Sequence, residues 1–89
     1  MNIGIIGAGN IAAHHVKGYI SNGAEVVAIA DVSVAMLERR KKDWNVERAY
    51  TDYNELLAQK DIEAISICTP NAYHHPATLA AAKAGKHIL

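Results

Sequence analysis

The sequence predicts an α/β fold, a doubly wound parallel sheet of about five strands with helices on both faces. Three observations carry this. Short apolar runs alternate with helical stretches along the whole chain, and such alternation gives parallel strands joined by right-handed helical crossovers. The run at 26–30 is continuously apolar, as in a strand covered on both faces. Phe is absent and Ala is abundant, so the core is built from small and branched aliphatic side chains, which suits helices lying close on a sheet.

The elements follow in order. Residues 3–6 are an apolar run broken at Gly7, the mark of a buried strand. Residues 10–22 read as a helix with Ala12, Val16, Tyr19 and Ile20 on one face and Gly23 as its stop. Residues 26–30 form the second strand, which ends at Asp31. Ser33 is a good N-cap for a helix through about Lys42. Residues 49–51 suit a short strand. Asp52 and Glu55 have the spacing of a capping box before Leu56 and Leu57. Residues 62–68 alternate Ile with smaller side chains and read as a buried strand, ended by Thr69-Pro70-Asn71. Pro76 suits the first position of a helix that runs to Gly85. Residues 86–89 begin one more strand.

Eighty-nine residues make one domain or part of one. Lys and Arg total 9 and so do Asp and Glu. That zero net charge argues against a nucleic-acid partner, which would call for a basic excess. Hydrophobic residues are 51% and charged residues 20%, a globular composition. The longest apolar stretches fall well short of the ~20 residues of a membrane span. The N-terminal residues have no basic region and no cleavage-site pattern. One cysteine, Cys68, excludes an internal disulfide framework and a Cys-cluster zinc site. A cytoplasmic location is the expectation. His14–His15 and His74–His75 are adjacent pairs, which do not share a helix face. No carboxylate or thiol stands at a ligand spacing, so no metal site is assigned.

Ligands of a parallel α/β sheet bind outside the carboxyl ends of the strands. The first constellation there is Gly7-Ala8-Gly9-Asn10-Ile11-Ala12. Gly7 permits a tight turn, and Gly9 lets backbone approach a pyrophosphate. Ala12 stands for the third glycine and is small enough for close helix–strand packing. Free N–H groups near Asn10 and Ile11 would face phosphates at the positive end of the helix dipole. Asp31 lies 22 residues after Gly9 at the end of the next strand, near the ~20-residue offset of an acid that accepts from an adenosine ribose. A helix cap is the plainer role for Asp31. A carboxylate there accepts from a free 2′-hydroxyl and repels a 2′-phosphate, so NAD is preferred to NADP. Arg39 and Arg40 lie a turn or more into the next helix, and residues 38–42 read as a solvated face.

The second constellation is Cys68-Thr69-Pro70-Asn71-Ala72-Tyr73-His74-His75. Pro70 stiffens the turn, and Asn71 and His74 supply polar side chains over the crevice. Turn capping by Thr69 and Asn71, with an exposed His74, fits these residues equally well.

With Gly7–Ala12, Asp31 and above all Thr69-Pro70-Asn71-x-x-His74 together, the chain resembles the Gfo/Idh/MocA oxidoreductases. These include glucose-fructose oxidoreductase, inositol dehydrogenase and related sugar and polyol dehydrogenases. The resemblance covers essentially the whole chain, including the tail Ala84-Gly85-Lys86-His87-Ile88-Leu89. It implies a Rossmann fold with Gly7, Gly9, Asn10 and Ile11 along the pyrophosphate and Asp31 on the adenosine ribose. It places Thr69, Pro70, Asn71 and His74 near the nicotinamide ribose and ring. The chemistry it implies is hydride transfer between a substrate carbinol and the nicotinamide.

The resemblance also implies parts that residues 1–89 lack. Members continue with a Glu-Lys-Pro motif, whose lysine contributes to catalysis, and then a C-terminal domain whose Asp and His serve proton transfer. The expectation is an incomplete NAD(P)-binding domain, without a catalytic residue of its own, that binds cofactor and turns nothing over. A sugar or polyol substrate would belong to a longer parent chain. Self-association through an exposed sheet edge is a further expectation, which a monomer in sedimentation at high concentration would refute. The alternative is a non-catalytic sensor of NAD(H) or another adenosine ligand. The shaped Thr69-Pro70-Asn71 end favours the dehydrogenase.

Overall fold

A computed structural model describes the backbone of residues 1–89 and all side chains except those of residues 71–73. Nine elements alternate: β1 (Asn2–Ile6), α1 (Asn10–Ser21), β2 (Glu25–Ala30), α2 (Val34–Trp44), β3 (Arg48–Tyr50), α3 (Tyr53–Leu57), β4 (Ala64–Ile67), α4 (Asn71–Lys83) and β5 (His87–Ile88). The strands form one sheet in the order β3-β2-β1-β4-β5, and every pairing is parallel. The order reverses beside β1. The chain works outward to β3 on one side, then crosses back to β4 on the other. That reversal opens a crevice at the carboxyl ends of β1, β2 and β4.

The core has two halves, one on each face of the sheet. On the first, Ala12 and Val16 of α1 and Leu37 of α2 pack on Ile3, Ile5, Val26 and Ile29. On the second, Leu56 and Leu57 of α3 with Ala77 and Ala81 of α4 pack on Ile6, Ala28, Ala30 and Ile65. Each large aliphatic buried this way contributes roughly 1.5–3 kcal/mol of transfer free energy. The alanines let α1 and α4 sit close to the strands, which a core without Phe requires.

Several local readings change in the structure. Ile20 is 52% exposed. At 100° per residue it lies about 80° around the helix from Ala12, outside the stripe made by Ala12, Val16 and Tyr19. Ile62 precedes β4 yet is buried, packed in the same cluster as Leu56 and Ile65. Pro76 does not start a helix. It lies inside α4, which begins at Asn71. The proline is exposed and its missing N–H removes a single bond near the helix start. Asp52 caps α3 by accepting from the Asn54 N–H at 2.9 Å. That is the N2 amide, not the N3 amide of a capping box, and no returning bond from the Glu55 carboxylate is present among the described residues, so Asp52 acts as a simple N-cap. Ser33 caps α2 through the Met36 N–H at 3.2 Å, and Asn45 in the left-handed region closes it.

The buried polar residue of β4, Ser66, is paired. The hydroxyl of buried Ser66 is 2.8 Å from Tyr19 Oη and 3.5 Å from Cys68 Sγ. A bulge in β2 offsets its register against β1 between Ile3 and Gly4. There the Val27 carbonyl accepts from Arg48 Nε at 3.4 Å. The same guanidinium donates to both Asp61 carboxylate oxygens, at 3.1 and 2.9 Å.

Candidate functional site

A cleft of about 770 Å³ opens at the switch point of the sheet, lined by residues 6–11, 30–32, 51, 53 and 68–70. Its floor is the turn from β1 into α1. Gly7 has φ +94°, and a Cβ there would stand 2.8 Å from the Cys68 carbonyl carbon and 3.0 Å from the Thr69 nitrogen. Only glycine fits between these strand ends. Gly9 is extended and is the N-cap of α1. Nothing lies within 4 Å of where its Cβ would be. The N–H groups of Gly9, Asn10, Ile11 and Ala12 meet no acceptor among the described residues. α1 carries no acidic residue in its first turn, so its positive end is not offset from within.

Asp31 follows β2 and faces this turn. Its Oδ2 accepts from the Ala8 N–H at 2.8 Å, and its Oδ1 accepts from the Ser33 N–H at 2.8 Å. The carboxylate therefore ties the loop after β2 to the glycine turn. Each oxygen has a further lone pair for a ligand hydroxyl.

Across the cleft, β4 ends at the Cys68-Thr69-Pro70 segment. Thr69 Oγ1 is buried and meets no hydrogen-bond partner among the described residues. A buried orphan hydroxyl costs about 1–3 kcal/mol, so this atom is ready for an incoming polar group. Burial pushes the Cys68 thiol up, and its contact with Ser66 offsets this in part.

Gly7, Gly9, Asn10, Ile11, Asp31, Thr69 and Pro70 thus meet around one cleft. His74 is exposed and is not among the lining residues. The Asn71 side chain lies outside the described ones. Val32, Thr51 and Tyr53 also line the cleft and carry no motif that marks them in sequence. Arg40 corrects the reading of residues 38–42 as a solvated face. It is 7% exposed, and its guanidinium reaches the glycine turn at Ala8 O, 2.8 Å away. The available signal was its position three residues after Leu37, on the buried stripe of α2. A second concavity lies at the other end of the sheet, near Glu63 and Lys86. Lys86 Nζ is already spent there on the Gln59 and Ile62 carbonyls, at 2.6 and 2.7 Å.

Known proteins share this fold. The Gfo/Idh/MocA model, described as an oxidoreductase family with an NAD-binding Rossmann fold, matches residues 1–89. The myo-inositol 2-dehydrogenase of Thermotoga maritima is 35% identical over 89 residues, which are 99% of this chain and 27% of that protein. The 1,5-anhydro-D-fructose reductase of Ensifer adhaerens is 36% identical over 87 residues, 97% of this chain and 26% of that one. Among solved structures, scyllo-inositol dehydrogenase from Lactobacillus casei with bound NAD(H) and scyllo-inositol superposes with a TM-score of 0.89 at 30% identity, covering 99% of this chain and 26% of that one. The chain spans about a quarter of the length of these relatives. The match to the family model over all 89 residues, on a sheet ordered 3-2-1-4-5, shows that this chain belongs to the Gfo/Idh/MocA oxidoreductases and has their NAD-binding Rossmann fold.

Proposed function

We propose that residues 1–89 bind NAD(H) in the switch-point cleft, in preference to NADP(H). They serve hydride transfer between nicotinamide and a sugar or polyol hydroxyl in a longer parent chain. The observation that carries this is the run of open N–H groups from Gly9 to Ala12 beside a carboxylate on the next strand end. The residues fit a dinucleotide. Gly9 leaves room for close backbone approach. Its N–H and those of Asn10 and Ile11 would hold the pyrophosphate, and Asp31 would accept from the adenosine ribose. Thr69 and Pro70, with Asn71 and His74 of the same segment, would hold the nicotinamide end. The orphan Thr69 hydroxyl supports that assignment.

Bound NAD supplies the hydride acceptor or donor. The chain's own residues orient it and set which nucleotide enters. Asp31 repels a 2′-phosphate, and the donors of Arg40 are turned inward, onto Ala8, Asn10 and Asp43, so that guanidinium does not offset the repulsion. Oxidation of a carbinol also requires a proton acceptor within hydrogen-bond reach. At the end of β4 the proton-bearing side-chain groups lining the cleft, among the described residues, are the Thr69 hydroxyl and the Cys68 thiol, and burial raises the thiol further from neutrality. Neither takes a proton near pH 7, and His74 is exposed and does not line the cleft, so we infer that the chain alone binds cofactor without turnover.

The test is a fluorescence titration with NADH, with NADPH as competitor. Expected is saturable binding that NADPH displaces poorly, and a gap between the two nucleotides that narrows about tenfold or more in Asp31→Asn. One close like-charge contact costs on the order of 1–4 kcal/mol near a protein surface. No saturable binding by the folded chain, or equal displacement by NADPH, overturns the reading.

A further inference from the structure

Arg40 sits in the second turn of α2, yet two of its three hydrogen bonds reach the turn between β1 and α1. Nε donates to the Ala8 carbonyl at 2.8 Å, Nη2 to Asn10 Oδ1 at 3.3 Å and Nη1 to Asp43 at 3.1 Å. The guanidinium carbon stands 5.4 Å from the Trp44 ring centroid. Burying this cation is costly, and an apolar side chain of similar volume is often neutral or stabilising at such a place. An aliphatic residue here would simply extend the Leu37 stripe. The arginine is explained by what it holds.

It holds one peptide plane. Ala8 is tied at both of its backbone groups by charged side chains, its N–H by Asp31 Oδ2 and its carbonyl by Arg40 Nε, each at 2.8 Å. The Ala8 carbonyl and the Gly9 N–H belong to the same trans peptide unit and point in opposite directions. Drawing the carbonyl toward α2 sends the Gly9 N–H away from α2, where it meets no acceptor among the described residues. The Nη2 contact holds the Asn10 side chain on the α2 side as well. The Gly9 carbonyl accepts from the Ala13 N–H at 3.2 Å, but that carbonyl belongs to the next peptide unit, so this bond does not set the plane that carries the Gly9 N–H.

We propose that Arg40 is a positioning residue for anion binding, a clamp from α2 that turns the Gly9 N–H outward to receive a pyrophosphate oxygen. This rests on the cofactor reading above. The clamp itself has a signature without ligand, because releasing the Ala8 carbonyl frees the Gly9 amide to rotate.

The experiment compares the parent chain with Arg40→Met, Arg40→Lys and the exposed control Arg39→Met. NADH affinity, the ligand-free Gly9 amide resonance and urea stability are measured on each. Arg40→Met is expected to weaken NADH about tenfold or more, as loss of a charge-assisted hydrogen bond does. It is also expected to shift or broaden the Gly9 amide signal before any ligand is added. Arg39→Met, with the same charge loss, stays within twofold and leaves the Gly9 signal in place. Lysine reaches one acceptor but lacks the fork for two, so Arg40→Lys recovers part of the affinity. It carries the test if Arg40→Met does not fold. A folded Arg40→Met, or failing that Arg40→Lys, with parent affinity and an unmoved Gly9 amide overturns the clamp. A parent chain that does not bind NADH, with a Gly9 amide that still moves in the Arg40 variant, overturns the cofactor reading and upholds the clamp.

Discussion

Two glycines of the β1–α1 turn are expected to respond to alanine in opposite ways. At Gly7 an added Cβ meets backbone at 2.8, 2.9 and 3.0 Å, and φ is +94°. A positive φ costs alanine about 1–2 kcal/mol. Overpacking against atoms that cannot swing aside adds about 1–3 kcal/mol. A chain of this length has roughly 4–13 kcal/mol of stability at ordinary per-residue values, so Gly7→Ala removes a large share. With a urea slope near 1 kcal/mol per molar, the midpoint falls by roughly 2 M or more. At Gly9 the added Cβ meets nothing within 4 Å, and the backbone is extended. Loss of unfolded-state freedom stabilises Gly9→Ala by about 0.4–1 kcal/mol. Alanine at an N-cap costs about as much. The two nearly cancel, and the midpoint stays within about 1 M. Its methyl group nevertheless occupies the space proposed for the pyrophosphate, so NADH affinity falls at least about tenfold. Urea melts followed by Trp44 fluorescence, with NADH titrations on the folded variants, measure both. The reasoning is refuted if Gly9→Ala loses as much stability as Gly7→Ala, or if it binds NADH as tightly as the parent.

Three other outcomes are expected. The hydrogen-bonded Arg48 guanidinium holds the Asp61 carboxyl below the usual carboxylate range. A lowered folded value contributes stability above about pH 4 that is lost as pH falls through it. Asp61→Asn should therefore flatten the acid limb of the urea midpoint plotted against pH, and an unchanged limb counts against the pair. Burial raises the Cys68 thiol, so alkylation by iodoacetamide should begin at higher pH than for an exposed cysteine. It should slow further with NADH present, since Cys68 lines the cleft; cofactor-independent rates would contradict the proposed site. Ser33→Ala removes the 3.2 Å bond to the Met36 N–H and should cost about 1 kcal/mol in a urea melt. It should leave NADH binding nearly unchanged.

The fold was legible because its signals are local. Apolar runs, the Ser33 cap and the stop at Gly23 each act within a few residues, and the element order follows from their alternation. The errors were local too. Ile20 sits at the margin of its stripe, and Pro76 favours a first-turn position without demanding one. The glycine turn and the acid after β2 were legible by spacing alone. Arg40 was not, because the rule that charged residues face water fails where a specific acceptor awaits. The Ala8 carbonyl that accepts from it is 32 residues away.

By itself the sequence determined that the chain alternates strand and helix, that Gly7 to Ala12 opens the first helix, and that an acid ends the second strand. Those are properties of short windows. Only the tertiary structure decided that β1 lies between β2 and β4. That placement sets Asp31 and Arg40 on the two backbone groups of one residue, Ala8, and brings Thr69 against Gly7. Strand order arises from which faces bury each other across the whole chain, and no short window contains that competition. The site is where three strand ends meet, so its residues were readable one at a time and its geometry was not.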